Sequence, residues 1–366
     1  MRVLHVARFV HPHVGGTETF IAGLVDALAA EGVESRLLTA DRYRSAAGPA
    51  PRAGVTAVPV VGPDRFPKPI GGFGRIGRAI AGADVVHVHD IRFLFETAFA
   101  VCRLQDKPLV LSTHGLIFHT EEFSLAKTIL WRAWYARALR RLDRVIAVSR
   151  HDEEFCVRNG ISANLTLLPN PVPVERFLDV RREPLADGGP LLYFGRISSG
   201  KGVDRLAAAL RAADGGVRLD VVGTGDEASM REARRAFAGL EDRVAWRGPA
   251  PDETLREELG RCRCVVMPSR NEAFGLAMIE ALAAGVPVVA SDLPALREIA
   301  PPRGVALVDF DDPVAVVEAI HRVGDGHDPA AAKAWARRFS WDGRAAGFLD
   351  IYRASIAAHN RPQRGI

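Results

Sequence analysis

The sequence predicts an α/β protein built from two doubly wound parallel-sheet domains in tandem. Three observations carry this. At 366 residues the chain is too long for one ordinary α/β domain and comfortable for two. Short, continuously apolar strand candidates alternate with helical stretches, as in a parallel sheet covered on both faces. The alternation stops at a proline- and charge-rich run, 170–189, and then starts again. Hydrophobic residues make up 48% and charged residues 25%, a globular balance rather than a disordered one.

In the first half the strand candidates are Val3–Arg8, Ser35–Thr39, Val55–Val61, Asp84–His89, Leu109–Thr113, Arg144–Val148 and Leu165–Pro169, with helices at Thr17–Ala30, Ala98–Arg103 and Ser124–Leu142. The run Asn170–Gly189 reads as a linker. Beyond it the strands are Leu191–Phe194, Leu219–Val222, Val244–Trp246, Cys264–Met267, Val286–Ala290 and Val305–Val308. The helices there are Gly202–Ala212, Ala228–Ala238, Asp252–Gly260, Phe274–Ala284, Pro294–Ile299 and Asp312–Val323. The expected domains are 1–175 and 176–340, with an amphipathic helix in 341–366 crossing back to brace the first. Ligands of such sheets sit at the carboxyl ends of the strands, so a cleft between two facing sheets is the expected site.

The four cysteines, Cys102, Cys156, Cys262 and Cys264, lack paired CxxC spacing and read as free thiols of a reducing cytosol. The opening MRVLHVARFV reads as a buried strand rather than a leader, and no apolar run reaches a membrane span. The net charge of +4 lies in the first 175 residues. That points to an anionic partner such as phosphate or a membrane surface, and away from general nucleic-acid binding. The stretch Ser124–Arg144 carries six Lys/Arg with Trp131, Trp134 and Tyr135. Such a helix can rest on an anionic bilayer or bind a pyrophosphate-linked acceptor, or else cover the sheet with an arginine-rich outer face. The expected location is cytoplasmic, with that stretch able to reach the inner membrane face.

Two glycine loops follow the first strand of their domain: His13-Val14-Gly15-Gly16-Thr17-Glu18, and Gly195-Arg196-Ile197-Ser198-Ser199-Gly200-Lys201-Gly202. Glycine lets backbone N–H groups approach an anion, and the following helix start adds partial positive charge. Neither loop is GxGxxG or a Walker A motif, which argues against a nicotinamide enzyme and a phosphate-loop ATPase. Arg196 and Lys201 span one loop and can both reach a diphosphate. In Ser269–Glu280, Glu272 precedes a helix, the amides of Phe274, Gly275 and Leu276 stand at its start, and Glu280 is two turns in, among Ala277, Ile279 and Ala281. A carboxylate so placed needs a hydrogen-bonding partner, and ribose hydroxyls could supply it.

The run from Glu272 to Glu280 contains Phe274-Gly275 and continues through Gly285-Val286-Pro287 to Ser291. It resembles the nucleotide-sugar element of retaining glycosyltransferases of family four. Gly15-Gly16-Thr17-Glu18, His114, Val148-Ser149, Phe194-Gly195-Arg196 with Lys201-Gly202, and Glu298 fall in the family's order. The resemblance implies the GT-B architecture: two Rossmann-like domains, donor on the second, acceptor on the first. It implies that Arg196 and Lys201 neutralise the diphosphate leaving group, that Glu272 holds donor-sugar hydroxyls, and that Glu280 holds the ribose. Amides of Gly16, Phe274, Gly275 and Leu276 would line the diphosphate, framed by Gly15 and Gly195. His114 matches the family's active-site histidine, bonded to the transferring sugar. The substrate is a nucleotide diphosphate sugar; no metal or other cofactor is expected, and on this reading the chain lacks a DxD run. Asn170-Pro171 departs from the family's Asn-Gly and fixes the backbone there.

His119, His89 and Asp90 are further candidates for the acceptor side, with His11, His13 and His87 weaker. The wording of His11-Pro12, Ser112-Thr113-His114-Gly115 and Leu192-Tyr193-Phe194-Gly195-Arg196 is similar to that of α-mannosyltransferases that use GDP-mannose and extend lipid-linked oligosaccharides. Asp252 could pair with guanine N–H groups, or simply cap Glu253–Gly260. The expected acceptor is a glycan or a lipid-linked glycan, with UDP-sugars the second choice of donor. Two other readings stay open: a sugar-nucleotide epimerase or hydrolase on the same fold, and a non-catalytic nucleotide- or glycan-binding protein.

Overall fold

The computed structural model of the chain describes residues 1–8, 16–41, 54–62, 67–115, 131–183 and 189–360. Gly15, His119, His11 and His13 lie outside them. The chain forms two compact units, Met1–Asn170 with Trp341–Ile366, and Pro171–Ser340. Both are parallel-sheet Rossmann-like units of the GT-B class.

The first unit contains β1 (Arg2–Val6), α1 (Gly16–Ala30), β2 (Glu34–Ala40), β3 (Val55–Val58), β4 (Val60–Val61), β5 (Lys68–Pro69), α2 (Phe73–Ala81), β6 (Val85–His89), α3 (Phe95–Leu104) and β7 (Leu109–Ser112). These are followed by α4 (Ala136–Leu139), β8 (Arg144–Ala147), α5 (Arg150–Arg158) and β9 (Leu165–Leu167). The main sheet is parallel, in the order β3-β2-β1-β6-β7-β8-β9. Side chains alternate across it. Leu4, Val6, Val86, Val88 and Leu111 pack under α2 and α3. Val3, Val85 and Val110 pack under Phe20, Ile21 and Leu24 of α1. The same cluster takes Phe348, Leu349 and Tyr352 from the C-terminal helix Arg344–His359. Period two therefore puts His5, His87 and His89 on that second face, with His5 opposite His87 in the β1–β6 register.

The second unit contains β10 (Leu191–Phe194), α6 (Arg205–Ala212), β11 (Leu219–Val222), α7 (Glu227–Ala236), β12 (Val244–Gly248), α8 (Asp252–Arg261), β13 (Cys264–Met267) and α9 (Leu276–Ala283). It closes with β14 (Val288–Ser291), α10 (Pro294–Ile299), β15 (Val305–Val308), α11 (Pro313–Arg322) and α12 (Pro329–Arg337); the C-terminal helix of the first unit is α13. Its sheet order is β12-β11-β10-β13-β14-β15. Strand order reverses between β10 and β13, and between β1 and β6 in the other sheet. In this topology those are the positions where the carboxyl-end loops splay apart and admit a ligand.

Several expectations need correction. The supposed linker belongs to the second core: Val172, Val174 and Phe177 are fully buried. Val172 N donates to Phe339 O at 2.7 Å, and Lys333 Nζ donates to the carbonyls of Leu178 and Val180. Proline and charge disguised an apolar i, i+2 pattern, and the unit boundary falls at Asn170/Pro171. The strand expected over Val55–Val61 is broken at Pro59, which has no N–H to give a ladder. Its second piece, β4, pairs antiparallel with β5 instead. Helices α2, α5 and α12 were not expected. Gly74 and Gly77 mask α2, whose Ile76 and Ile80 are buried one turn apart. The signal for α12 is plain in sequence: Asp328 accepts from Ala330 N at 2.9 Å, and Pro329 follows at the first helical position.

Candidate functional site

In the second unit the loops after β10 and β13 are sewn together. Gly195 follows β10 with φ 134°, a backbone only glycine adopts without strain. Tyr193 Oη donates to Arg196 O at 2.7 Å and fixes the exposed Arg196 on its turn. A short 3₁₀ turn, Ser199–Lys201, ends at Gly202 with φ 65°. A Cβ at Gly202 would collide with Pro268 O, so glycine is what lets the two loops touch. Arg270 N and Asn271 N both donate to Gly200 O, at 2.9 and 3.3 Å.

The result brings predicted residues together. Lys201 Nζ lies 2.6 Å from Glu272 Oε1, and Ser269 Oγ donates to the same oxygen at 2.9 Å. Glu272 is nearly enclosed, its side chain 8% exposed, against 36% for Lys201. Two residues on, Phe274 is buried, and Gly275 (φ 100°) caps α9 in the left-handed conformation. The first N–H groups of a helix have no intrahelical acceptor, and the helix start carries partial positive charge. An ammonium–carboxylate pair thus stands at the carboxyl ends of the two switch-point strands, its carboxylate three residues ahead of the glycine that caps α9.

Glu280 lies one helical face along α9. Burial pushes its carboxyl up to about 7, opposed by the nearby Arg176 guanidinium and reinforced by Asp252. Asp252 is not the cap of α8. Pro251 holds that position, and the Asp252 carboxylate takes a two-pronged ion pair from Arg176, with Nε to Oδ2 at 2.6 Å. Arg176, which nothing in the chain's local pattern singles out, therefore links Asp252 to the surroundings of Glu280.

In the first unit His114 sits just beyond β7, with φ 42°, followed by Gly115 at φ 76°. Thr113 Oγ1 donates to Asp152 Oδ2, which also accepts from Gly115 N at 3.4 Å, so the turn is pinned to α5. Phe20 packs edge-on against the His114 ring, with centroids 4.8 Å apart. Burial lowers His114 to about 4, offset by Asp152. Gly16 opens α1.

Two acceptor-side expectations are corrected here. His89 is 2% exposed, and its two ring nitrogens face His5 and His114. Burial holds it neutral. Asp90 is buried, and both its carboxylate oxygens are taken by Arg92 within its own turn. Neither presents a ready group to an acceptor.

Residues 14–176 match the family model described as Glycosyltransferase Family 4, and residues 189–325 the model described as Glycosyl transferases group 1. A GDP-mannose:cellobiosyl-diphosphopolyprenol alpha-mannosyltransferase of Komagataeibacter xylinus is 30% identical over 81% of this chain and 77% of its own length. The chain belongs to glycosyltransferase family 4. Its likeness to the enzyme of the same name from Xanthomonas campestris is 29% identity over 97% of both chains. Among solved structures, sucrose-phosphate synthase from Thermosynechococcus elongatus superposes with a TM-score of 0.74 at 22% identity, covering 98% of this chain and 99% of that one. These likenesses do not favour the epimerase, hydrolase or non-catalytic readings.

Two further features of this family 4 glycosyltransferase depart from expectation. A DxD run does occur, Asp309-Phe310-Asp311. Its carboxylates pair with Arg205, at 3.4 and 2.8 Å, and with backbone N–H, which gives them a structural occupation. Of the aromatic residues in the basic stretch, Trp131 and Tyr135 are buried and bond Asn159 and Glu96. Only Trp134 is exposed. Residues 124–130 lie outside the described part. No helix among the described residues is long and apolar enough to cross a membrane.

The sequence reading also missed Gly223-Thr224-Gly225 after β11. Cβ atoms at Gly223 and Gly225 would strike the carbonyls of Gly195 and Ile197. The third loop therefore backs the Arg196 turn at backbone contact. A paired glycine just past an apolar strand was the available signal.

Proposed function

We propose that this family 4 glycosyltransferase moves a hexose, mannose first, from a nucleoside diphosphate donor, GDP-mannose first, onto a hydroxyl of a lipid-linked or other glycan, with retention at the anomeric carbon. The observation that carries the reading is the Lys201–Glu272 pair at the switch point of the second sheet, three residues ahead of the Gly275 cap of α9. A diphosphate laid there would be met by the Lys201 ammonium, the Arg196 guanidinium and the amides near Phe274, Gly275 and Leu276. Those groups supply positive charge where the leaving group becomes negative, so we read the transfer as needing no metal. Glu272 would take hydroxyls of the sugar, Glu280 the ribose, and His114 a further sugar hydroxyl.

Among the described residues no side chain stands out as a nucleophile for double displacement. The step is therefore read as attack from the leaving-group face through an oxocarbenium-like state. The bond from the anomeric carbon to the diphosphate oxygen breaks, and a bond from that carbon to the acceptor oxygen forms. The acceptor's proton passes to the departing diphosphate. Catalysis is then mainly positional and electrostatic. The mannose and pyrophosphate-lipid choices rest on the activity for which the Xanthomonas and Komagataeibacter relatives are named.

A thermal-shift screen with GDP-, UDP-, ADP- and dTDP-sugars tests the donor, because a ligand stabilises the state it binds. Stabilisation by GDP-mannose above the others, followed by mannose transfer to a pyrophosphate-linked glycan lipid, is the expected result. Preference for a UDP-sugar would replace the donor. No shift with any of them and no transfer would end the reading.

A further inference from the structure

The buried histidines of the first unit form a chain of contacts. His5 Nδ1 lies 3.1 Å from His89 Nε2, and His89 Nδ1 lies 3.2 Å from His114 Nε2. At the end, His114 Nδ1 lies 3.5 Å from Asn170 Nδ2. Burial holds all three rings neutral, His5 at about 3 and His114 at about 4. A neutral imidazole has one N–H and one lone pair. Every ring–ring contact here joins Nδ1 of one histidine to Nε2 of the next. The tautomer of one ring therefore dictates its neighbour's, and all three must carry their proton on the same nitrogen. His87 stands apart. Its partners are the hydroxyls of Tyr352 and Ser112, both at 2.8 Å, and hydroxyls can rotate to suit either tautomer.

The ends of the chain choose the direction. The amide nitrogen of Asn170 can only donate, so it meets a lone pair at His114 Nδ1. The proton then sits on His114 Nε2 and points at a lone pair on His89 Nδ1. His89 Nε2–H in turn points at His5 Nδ1. This leaves His5 Nε2–H and Asn170 Oδ1 as the atoms without partners, and both are buried without one. The reverse polarity needs the Asn170 amide turned over. Two amide N–H groups would then stand where Oδ1 now finds no partner, against the single orphaned donor, His5 Nε2–H, of the first polarity, and orphaned donors are the costlier defect.

We propose that Asn170, His89 and His5 are positioning residues that hold His114 in its Nε2–H tautomer, so that its Nδ1 lone pair accepts a hydrogen bond from a hydroxyl of the transferred sugar. The proposal rests on His114 as a sugar contact in the function given above. The Asn170 contact is long for a hydrogen bond, so Asn170 sets the tautomer of the enzyme without substrate, and a sugar hydroxyl at ordinary distance then replaces it on Nδ1. The left-handed backbone at His114 and Gly115 sets the ring at the end of the chain. The proposal also explains His5 and His89 on one sheet face, where aliphatic side chains would pack at less cost.

The test is the protonation site of each ring, read by long-range proton–nitrogen NMR on protein labelled at histidine nitrogen, with no substrate present. The expected result is one N–H, on Nε2, for His5, His89 and His114 alike. A proton on His114 Nδ1, or disagreement among the three rings, overturns the proposal. This readout needs no turnover. A protein without transferase activity would sink the proposed function and leave the tautomer result standing.

Kinetics give the second arm, with the sugar nucleotide that the ligand screen selects. His89→Leu strands the His114 N–H against an apolar wall and should lower kcat roughly tenfold, with the donor KM moving far less. His89→Gln offers an amide oxygen toward His114 and an amide nitrogen toward His5, the polarity of the native ring, and should recover most of kcat. Equal kcat losses in the two folded variants overturn the proposal. If His89→Leu does not fold, the wild-type NMR result decides.

Discussion

Replacing Lys201 with methionine removes one charge while keeping the length of the side chain. Lys201 Nζ is 2.6 Å from Glu272 Oε1, on the loop that also carries Arg196. A preorganised donor aimed at developing negative charge contributes about 2.7–4 kcal/mol, a factor of about 10²–10³ in rate. The Lys201 side chain is 36% exposed, so solvent screens part of its field and the lower end applies. A loss of about a hundredfold in kcat is expected. The variant should still fold, with a loss of about 1–3 kcal/mol, because methionine leaves the nearly enclosed Glu272 carboxylate without its cation. Glu272 also keeps Ser269 Oγ at 2.9 Å. Nucleoside diphosphate release with saturating donor and acceptor measures the rate, and urea unfolding measures stability. Glu272→Gln belongs in the same experiment. The two side chains touch, so the double variant should lose less than the two single losses combined. Activity of Lys201→Met within about threefold of wild type, with the variant folded at the assay temperature, would show that Lys201 does not serve the leaving group.

Other predictions follow from the same geometry. The Glu280 carboxyl is raised from 4.5 to about 7, so the folded state binds the extra proton. Its contribution to stability is then present at low pH and lost as pH rises from 4.5 through about 7. Glu280→Gln should flatten the melting temperature across that window, and unchanged curvature would refute the assignment. Gly202→Ala forces a Cβ into Pro268 O at φ 65°, and should cost about 1–3 kcal/mol as well as activity. Denaturant midpoints equal to wild type would mean the loops separate freely. All four cysteines are buried, and Cys102, Cys156 and Cys264 are pushed up to about 12 by burial. The folded protein should therefore resist thiol reagents at pH 8 and react only on unfolding, and prompt labelling of any cysteine would contradict the packing.

Strands with apolar runs were legible in sequence: β10, β13 and β15, whose runs are unbroken, and β11, interrupted by Asp220, fall on the residues expected for them. Continuous burial on both faces of a parallel sheet leaves that signature in the residues themselves. The glycine loops and the Glu272–Glu280 element were legible for a related reason. Glycine at 195, 202 and 275 answers a backbone requirement that no other residue meets cheaply. Pairings across the fold were not legible. Arg176 with Asp252, Lys201 with Glu272, and Asp309 and Asp311 with Arg205 join residues 71 to 106 positions apart, and charge alone does not choose among many partners. The segment after Pro171 looked like a tether because polarity and proline were visible, while the core that receives Val172, Val174 and Phe177 was not. The histidines show the division most plainly. Read along the chain, His87, His89 and His114 stand as separate candidates near strand ends, and His5 draws no attention. Strand register and the left-handed turn after β7 decided which nitrogen meets which, because contact order along a sheet is set by pairing across strands and not by position along the chain.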